Sequence, residues 1–196
     1  MNTRRIIIAG AVLVSVSTFV AIYLVSENNI AQQNQAEQLL SRVHEFTDNG
    51  TKYVKIGDLT PNSAFTFKYP YTENSTQSYY NTWILIRLSS KYGGDKNDIS
   101  SFRAYSTMGI TPVDCILNYK AKLERLDDVC HDSMYEPVNG TAVAGPALQQ
   151  SQYNKTLPNA LPKLDLGIDD QGYIYVKPPT FDIDKNGVIG LGRKIS

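Results

Sequence analysis

The pattern of apolar and polar positions begins with one long apolar segment. Residues 6–25 carry no charge over 20 positions, which at about 1.5 Å per residue spans the hydrocarbon core of a bilayer. Arg4 and Arg5 precede the segment, and Glu27 follows it. The positive-inside rule predicts a cytoplasmic N-terminus and places the rest of the chain outside the cell membrane.

Residues 1–28 are therefore predicted to be a cytoplasmic N-terminus and one transmembrane helix that anchors the chain. A cleaved signal peptide is the alternative, although the apolar run is long for one and no small-residue cleavage motif closes it. The sequence Thr-Arg-Arg at 3–5 also fits a twin-arginine export signal loosely.

Residues 29–48 are predicted to form a helical stalk that continues from the anchor. Apolar residues recur there at helical spacing among glutamines and asparagines, and Asp-Asn-Gly at 48–50 is a turn sequence that ends the helix. The apolar positions are Ile30, Leu39, Leu40, Val43 and Phe46.

Residues 49–196 show short runs of β-branched and aromatic residues, mostly bounded by Gly, Pro, Asn or Ser, and such runs predict strands. The predicted strands are Tyr53–Ile56, Ala64–Tyr69, Trp83–Leu88, Phe102–Tyr105, Ala142–Val143, Leu164–Leu166, Tyr173–Val176 and Val188–Gly190. Many short strands with this punctuation predict an all-β domain, a small sandwich or barrel.

Charge and motifs narrow the function. The chain has 19 basic and 19 acidic residues and a net charge of +0, which gives no reason to expect a nucleic acid partner. The sequence holds no G-x-S-x-G, H-E-x-x-H or P-loop motif. No catalytic residue is predicted, and an activity of the chain's own stays open.

Two kinds of modification fit an extracytoplasmic domain. Four N-x-[ST] sequons are glycosylation candidates, and the two cysteines, Cys115 and Cys130, favour a disulfide in an oxidising compartment. By the chain-entropy model a loop of this length contributes about 3 kcal/mol. The sequons begin at Asn49, Asn74, Asn139 and Asn154.

One group of side chains could hold a single metal ion. Carboxylate, thiolate and imidazole donors suit zinc, iron or manganese, and a solvated acidic loop is the alternative. The candidate ligands are Asp127, Asp128, Cys130 and His131.

Three motifs then carry a resemblance to a known family. They are Asp-Val-Cys-His-Asp-Ser-Met-Tyr at 128–135, Gly-Pro-Ala at 145–147 and Gly-Tyr-Ile-Tyr-Val at 172–176. In this order they resemble the second cluster loop, the proline turn and the closing strand of Rieske iron–sulfur domains. The resemblance covers about residues 50–196, and is especially close to the small subunits of arsenite oxidase and to archaeal cytochrome b-linked Rieske proteins. It implies a Rieske-like all-β fold.

The departures from that family lie at the cluster ligands. A Rieske 2Fe–2S cluster is held by two cysteines and two histidines. Of these four, the resemblance leaves only His131 in place, and Asp128 stands where the second loop has its ligand cysteine. Aligned without gaps, the first loop places Tyr105 and Thr107 at its cysteine and histidine positions. Aligned with a deletion after Met108, the loop lacks both ligand positions. The resemblance therefore predicts loss of the cluster.

The resemblance also implies roles for the neighbouring residues. Cys130 matches the bridge cysteine of the second loop, which favours a displaced structural disulfide with Cys115 over ligation of a cluster by their thiolates. The residues matching Ser133 and Tyr135 hydrogen-bond the cluster sulfurs in the family. In this chain they would bind a cofactor together with Asp128 and His131, but only if a cluster or metal is retained.

Three functions follow as hypotheses. The first is a membrane-anchored Rieske-fold subunit of a membrane oxidoreductase complex, of the cytochrome b or a related electron-transfer type, which lacks the cluster and acts in assembly or docking. The second is an electron carrier with an altered 2Fe–2S or single-metal site. The third is a surface-exposed structural or binding module. In the first, the partners are the membrane and the other subunits, and no cofactor is expected.

Overall fold

The computed structural model describes only part of the chain. The described residues are 30, 42–47, 50–69, 82–110, 115–154 and 159–177. Residues 1–40 and 41–196 form two compact units, and every strand below belongs to the second. Among the described residues no helix is long and apolar enough to cross a membrane. The predicted anchor at 6–25 and the predicted strand Val188–Gly190 lie outside them.

The described part of the second unit is mostly β, with one α-helix, α1 (Pro146–Tyr153). All of its strand pairs are antiparallel. The strands are β1 (His44–Thr47), β2 (Gly50–Tyr53), β3 (Ser63–Lys68), β4 (Thr82–Arg87), β5 (Phe102–Ser106), β6 (Leu117–Lys120), β7 (Arg125–Asp128), β8 (Met134–Tyr135), β9 (Ala142–Ala144), β10 (Lys163–Leu164), β11 (Leu166–Ile168) and β12 (Ile174–Val176).

The sheet with strand order β10-β5-β4-β3 lies between two hydrophobic cores. Successive side chains of a strand point to opposite faces, and β4 is buried on both. Trp83 and Leu85 join the first core, while Ile84 and Ile86 join the second. Burial of both faces explains why β4 has a continuous apolar run instead of an alternating pattern.

The first core packs this sheet against residues of the β1–β2 and β11–β12 segments, such as Val43, Val54 and Ile174. The second core packs it against the sheet of order β6-β7-β8-β9 and against α1, through Leu117, Leu126 and Ala147 among others. The candidate site lies on that second sheet, where β7 ends.

The predicted helical stalk is wrong at its C-terminal end. Residues His44–Thr47 are strand β1, which pairs with β2, and the Val43 N–H donates to the Ile174 carbonyl at 2.8 Å. Val43 is buried in the first core, and this tertiary contact outweighs the helical spacing of the apolar residues. The β domain therefore includes residues 42–47 and does not start at 49.

Strand bounds also differ from prediction elsewhere. The single strand expected at Leu164–Leu166 is instead two strands, β10 and β11, which belong to different sheets. The strand expected at Tyr53–Ile56 is found at Gly50–Tyr53. Strands β6, β7 and β8, which the sequence did not predict, form most of the sheet that carries the site.

Candidate functional site

The loop between β7 and β8, residues 129–133, carries three of the predicted site residues, Cys130, His131 and Ser133; we call it the Cys130 loop. It is closed by backbone hydrogen bonds from the Asp128 N–H to the Ser133 carbonyl at 2.8 Å and from the Asp132 N–H to the Asp128 carbonyl at 3.0 Å. Asp132 takes a left-handed conformation with φ 57°, which Asp adopts more readily than most residues. The result is a tight turn held at both ends.

The carboxylate of Asp128 binds the inside of this loop. Its Oδ1 accepts from the N–H of Cys130 at 2.9 Å and of His131 at 3.1 Å. Its Oδ2 lies 3.1 Å from His131 Nδ1. The Asp128 side chain is fully buried, whereas that of His131 is 26% exposed. The carboxylate therefore organises a loop that solvent can reach from the imidazole side.

The predicted disulfide between Cys115 and Cys130 is confirmed. The two Cα atoms lie 5.9 Å apart, and the residues are 15 positions apart in the sequence. Cys115 is buried just before β6, and Cys130 is exposed in the loop. The bond therefore ties the start of β6 to the Cys130 loop, which follows β7.

Four potential metal ligands meet at this point. One donor atom each from Cys115, Asp128, Cys130 and His131 lies within 4.8 Å of the others. Asp127, predicted as a ligand with them, is not part of the group. Its carboxylate instead pairs with Arg125, with an Nε–Oδ1 distance of 2.6 Å. Alternation along β7 accounts for this, since neighbouring residues of a strand point to opposite faces.

Ser133 links the loop to α1. Its Oγ accepts from the Ala147 N–H at 3.1 Å. Gly145 has φ +79°, and a Cβ there would lie 2.4 Å from the Asp132 carbonyl oxygen, so a side chain at this position would clash with the loop backbone. The predicted turn at Gly145–Pro146 is thus the start of a helix, with Pro146 in its first turn.

The first-loop positions of the resemblance do not join the ligand group. Tyr105 is buried in β5, and its hydroxyl donates to the Pro137 carbonyl at 3.1 Å. The Thr107 hydroxyl donates to the Thr82 carbonyl at 2.9 Å. Tyr105 therefore ties β5 to the connection between β8 and β9, and Thr107 ties the segment after β5 to β4.

Comparisons with known proteins give partial matches in structure. No protein-family model and no curated protein matches the chain. It is similar to the cyanobacterial plasma membrane Rieske protein from Synechocystis PCC 6803, with TM-score 0.37, 15% identity, 58% of this chain and 86% of that chain covered. It is also similar to the ferredoxin of carbazole 1,9a-dioxygenase from Nocardioides aromaticivorans IC177. That match has a TM-score of 0.38 and 15% identity, and covers 64% of this chain and 93% of that chain.

A third match is the soluble domain of the Rieske protein II from Sulfolobus acidocaldarius, with TM-score 0.40, 21% identity, 58% of this chain and 66% of that chain covered. The chain resembles Rieske proteins. The likeness is partial, so any statement about the site rests on this chain's own residues.

The donor set does not fit a Rieske 2Fe–2S cluster. Such a cluster needs two thiolates and two imidazoles. Both cysteines of the chain are held in the disulfide. The second histidine, His44, is buried in β1 and contacts the Arg42 carbonyl, outside the ligand group. Only His131 offers a donor of the required kind, beside the hard oxygen donor of Asp128.

Tyr135 is fully buried on β8, below the loop. Desolvation raises the pKa of Tyr135 to about 12, although the Ile110 amide and the Ser133 hydroxyl near it act in the opposite direction. Burial also raises the pKa of Tyr105, the other buried phenol of the second core. Both side chains therefore stay neutral in the folded protein well above the ordinary tyrosine range.

Tyr135 should make the fold sensitive to high pH. The unfolded chain loses the phenol proton near pH ~10 and the folded chain only near pH ~12, so stability is fully present below the lower value and falls as pH rises between them. Tyr135→Phe should make this fall shallower in urea unfolding measured across that range. The other tyrosines whose pKa is raised by burial contribute to the remainder; they are Tyr69, Tyr105 and Tyr119. Tyr153→Phe is the matched control, because Tyr153 is 94% exposed. An unchanged fall in Tyr135→Phe would contradict the prediction.

Two exposed apolar side chains flank the disulfide, and the sequence analysis did not single them out. Val129 is 58% exposed and Ile116 is 41% exposed. Each is the chain neighbour of a disulfide cysteine. The sequence signal for Val129 is an apolar residue within the otherwise polar run Asp-Asp-Val-Cys-His-Asp.

The structure describes two of the four sequon asparagines. Asn139 and Asn154 are both exposed, and the Asn139 side chain accepts from the Thr141 N–H at 2.9 Å. Asn49 and Asn74 lie outside the described residues.

Proposed function

We propose that this chain is a membrane-anchored Rieske-fold subunit of a membrane oxidoreductase complex, that it lacks the 2Fe–2S cluster, and that it acts in assembly or docking. The observation that carries this proposal is the construction of the Cys130 loop. Its cysteine, Cys130, is bonded to Cys115, and the Asp128 carboxylate accepts hydrogen bonds from the N–H groups inside it. All of these bonds join groups of the chain itself.

Docking is supported by the restrained backbone of the Cys130 loop and by the exposed apolar side chains next to the disulfide. A restrained loop loses little conformational entropy when it binds a partner, and this favours affinity. Val129 and Ile116 offer exposed apolar surface on either side of the disulfide. Surface of this kind at the centre of a small interface contributes binding free energy when water is excluded from it.

Membrane anchoring and the class of partner are supported by the sequence. The uncharged run at 6–25 follows two arginines, as an anchor with a cytoplasmic N-terminus requires. Electron-transfer complexes are the setting that the Rieske resemblance implies, so this part of the proposal is an analogy of fold.

The proposal is tested by iron, acid-labile sulfide and free thiols in the full chain purified from membranes in mild detergent. We expect no stoichiometric iron, no sulfide and no free thiol, together with co-purification of other membrane subunits. About two irons per chain would instead support the electron carrier with altered ligation. A cluster-free chain that purifies alone and glycosylated would support the surface module.

The docking surface is tested by Val129→Asp. A charge placed in the centre of an apolar contact should weaken association with the partner subunits about tenfold, equivalent to ~1.4 kcal/mol. Co-purification yield and the affinity of the recombined subunits measure this.

Leu123→Asp is the matched control for this change. Leu123 is 57% exposed and lies in the turn between β6 and β7, at the other end of the hairpin from the Cys130 loop. It should leave association unchanged. Equal losses in both variants would show that the effect is a general one of added charge and not a property of this surface.

A further inference from the structure

The four potential metal ligands around Cys130 include two thiols once the disulfide is reduced. In the disulfide form the two sulfurs are bonded to each other, and the other donors stand beside them, all within 4.8 Å. Nδ1 of His131 and Oδ2 of Asp128 are 3.1 Å apart. In a tetrahedral zinc site with metal–ligand distances of about 2.1 Å for N and O, two such ligands are about 3.4 Å apart. These two atoms therefore already have nearly the spacing of adjacent zinc ligands.

The two sulfurs need only a small movement to complete such a site. Two thiolates on one zinc ion, each at about 2.3 Å, lie about 3.8 Å apart. The Cα atoms of Cys115 and Cys130 are 5.9 Å apart, which leaves room for this separation by side-chain rotation. Cys130 is exposed and His131 is partly exposed, so an ion can reach the group from solvent.

We propose that reduction of the Cys115–Cys130 disulfide converts this group into a zinc site with two sulfur ligands, the imidazole of His131 and the carboxylate of Asp128. A dithiol reductant supplies two electrons and two protons: the S–S bond breaks, two S–H bonds form, and the reductant closes to its own disulfide. Zinc then displaces the two thiol protons, which pass to solvent. It also takes the place of the hydrogen bond between Nδ1 and Oδ2, and the neutral imidazole then carries its proton on Nε2 instead of Nδ1. The loop is thus closed by the disulfide when oxidised and by zinc when reduced.

Zinc suits this donor set better than an iron–sulfur cluster does. Mixed sulfur and nitrogen ligation with tetrahedral geometry is typical of zinc, and a carboxylate is an accepted fourth ligand. The proposal does not depend on the proposed docking function, since it concerns a chemical state that the purified oxidised chain does not occupy.

Equilibrium dialysis of the full chain against Zn²⁺ tests it, before and after reduction with a phosphine. A phosphine is used because a dithiol would compete for zinc; it is oxidised to the phosphine oxide with oxygen from water while the two thiols form. We expect about one zinc per reduced chain and none per oxidised chain at the same free Zn²⁺. Co²⁺ in place of Zn²⁺ should give the absorption of tetrahedral cobalt with thiolate ligands.

Variants identify the ligands. In the reduced chain, His131→Ala and Asp128→Asn should each weaken zinc binding at least ~tenfold, and Cys115→Ser/Cys130→Ser should abolish it. Asp127→Asn is the matched control, because Asp127 pairs with Arg125 and lies outside the group; it should bind zinc as the wild type does.

Several results would overturn the proposal. They are equal zinc content in the oxidised and reduced wild type, a reduced chain that binds no zinc, and a reduced chain that has lost its β circular dichroism and does not recover it when zinc is added. Unchanged affinity in His131→Ala would also exclude the site as described. The wild-type comparison decides the question even where a variant fails to fold.

Discussion

Asp128→Ala should lower the free energy of unfolding by about 3 kcal/mol. The carboxylate interacts with three donors, the N–H groups of Cys130 and His131 and the His131 ring, and each hydrogen bond contributes ~1 kcal/mol. The Asp128 side chain is fully buried, so its removal also leaves a gap behind the loop. Urea unfolding monitored by tryptophan fluorescence measures the loss, since the chain's single tryptophan, Trp83, lies fully buried in the first core.

Two control variants separate the causes. Asp128→Asn keeps an oxygen that can accept from both N–H groups, so it should cost only ~1 kcal/mol. Asp127→Ala removes the neighbouring carboxylate, which is partly exposed and bound to Arg125, and should cost less than ~1 kcal/mol. A loss in Asp128→Ala no larger than that in Asp127→Ala would show that the loop does not depend on its internal carboxylate.

The site could be predicted from sequence where its contacts are local. Asp128 and His131 stand three positions apart in the sequence, and an aspartate readily accepts hydrogen bonds from the N–H groups that follow it. The disulfide followed from two cysteines and the expected compartment. The contact of Gly145 with the loop backbone is long-range, and spacing alone gives no signal for it.

The fold shows the same division. Strands β3, β4 and β5 were predicted within a few residues because their apolar runs are buried on at least one face. Strand β7 has the sequence Arg-Leu-Asp-Asp. Of these four residues only Leu126, which is buried in the second core, is apolar. Such a strand exists because of its partners on both sides, and propensity is a weak guide in that situation.

The boundary of the domain was missed for a related reason. The apolar residues are spaced as in a helix at Leu39, Leu40, Val43 and Phe46. Arg42, however, forms a β-bridge with Tyr175 of β12. Arg42 also pairs with the buried carboxylate of Asp169 at 2.5 Å. These partners lie more than a hundred residues away, so the local pattern could not reveal them.

Cys115→Ser/Cys130→Ser should lower the free energy of unfolding by about 3 kcal/mol, because a bond across 15 positions restricts the unfolded chain by roughly that amount. Urea unfolding measures the loss, and the wild type after reduction in a zinc-free buffer should reproduce it, which excludes an effect of the serines themselves. A loss below ~1 kcal/mol would mean that the β6–β7 hairpin already keeps residues 115 and 130 close in the denatured chain. In that case the disulfide fixes the exposed loop that carries Val129 without adding to the stability of the domain, and its role would lie in docking alone.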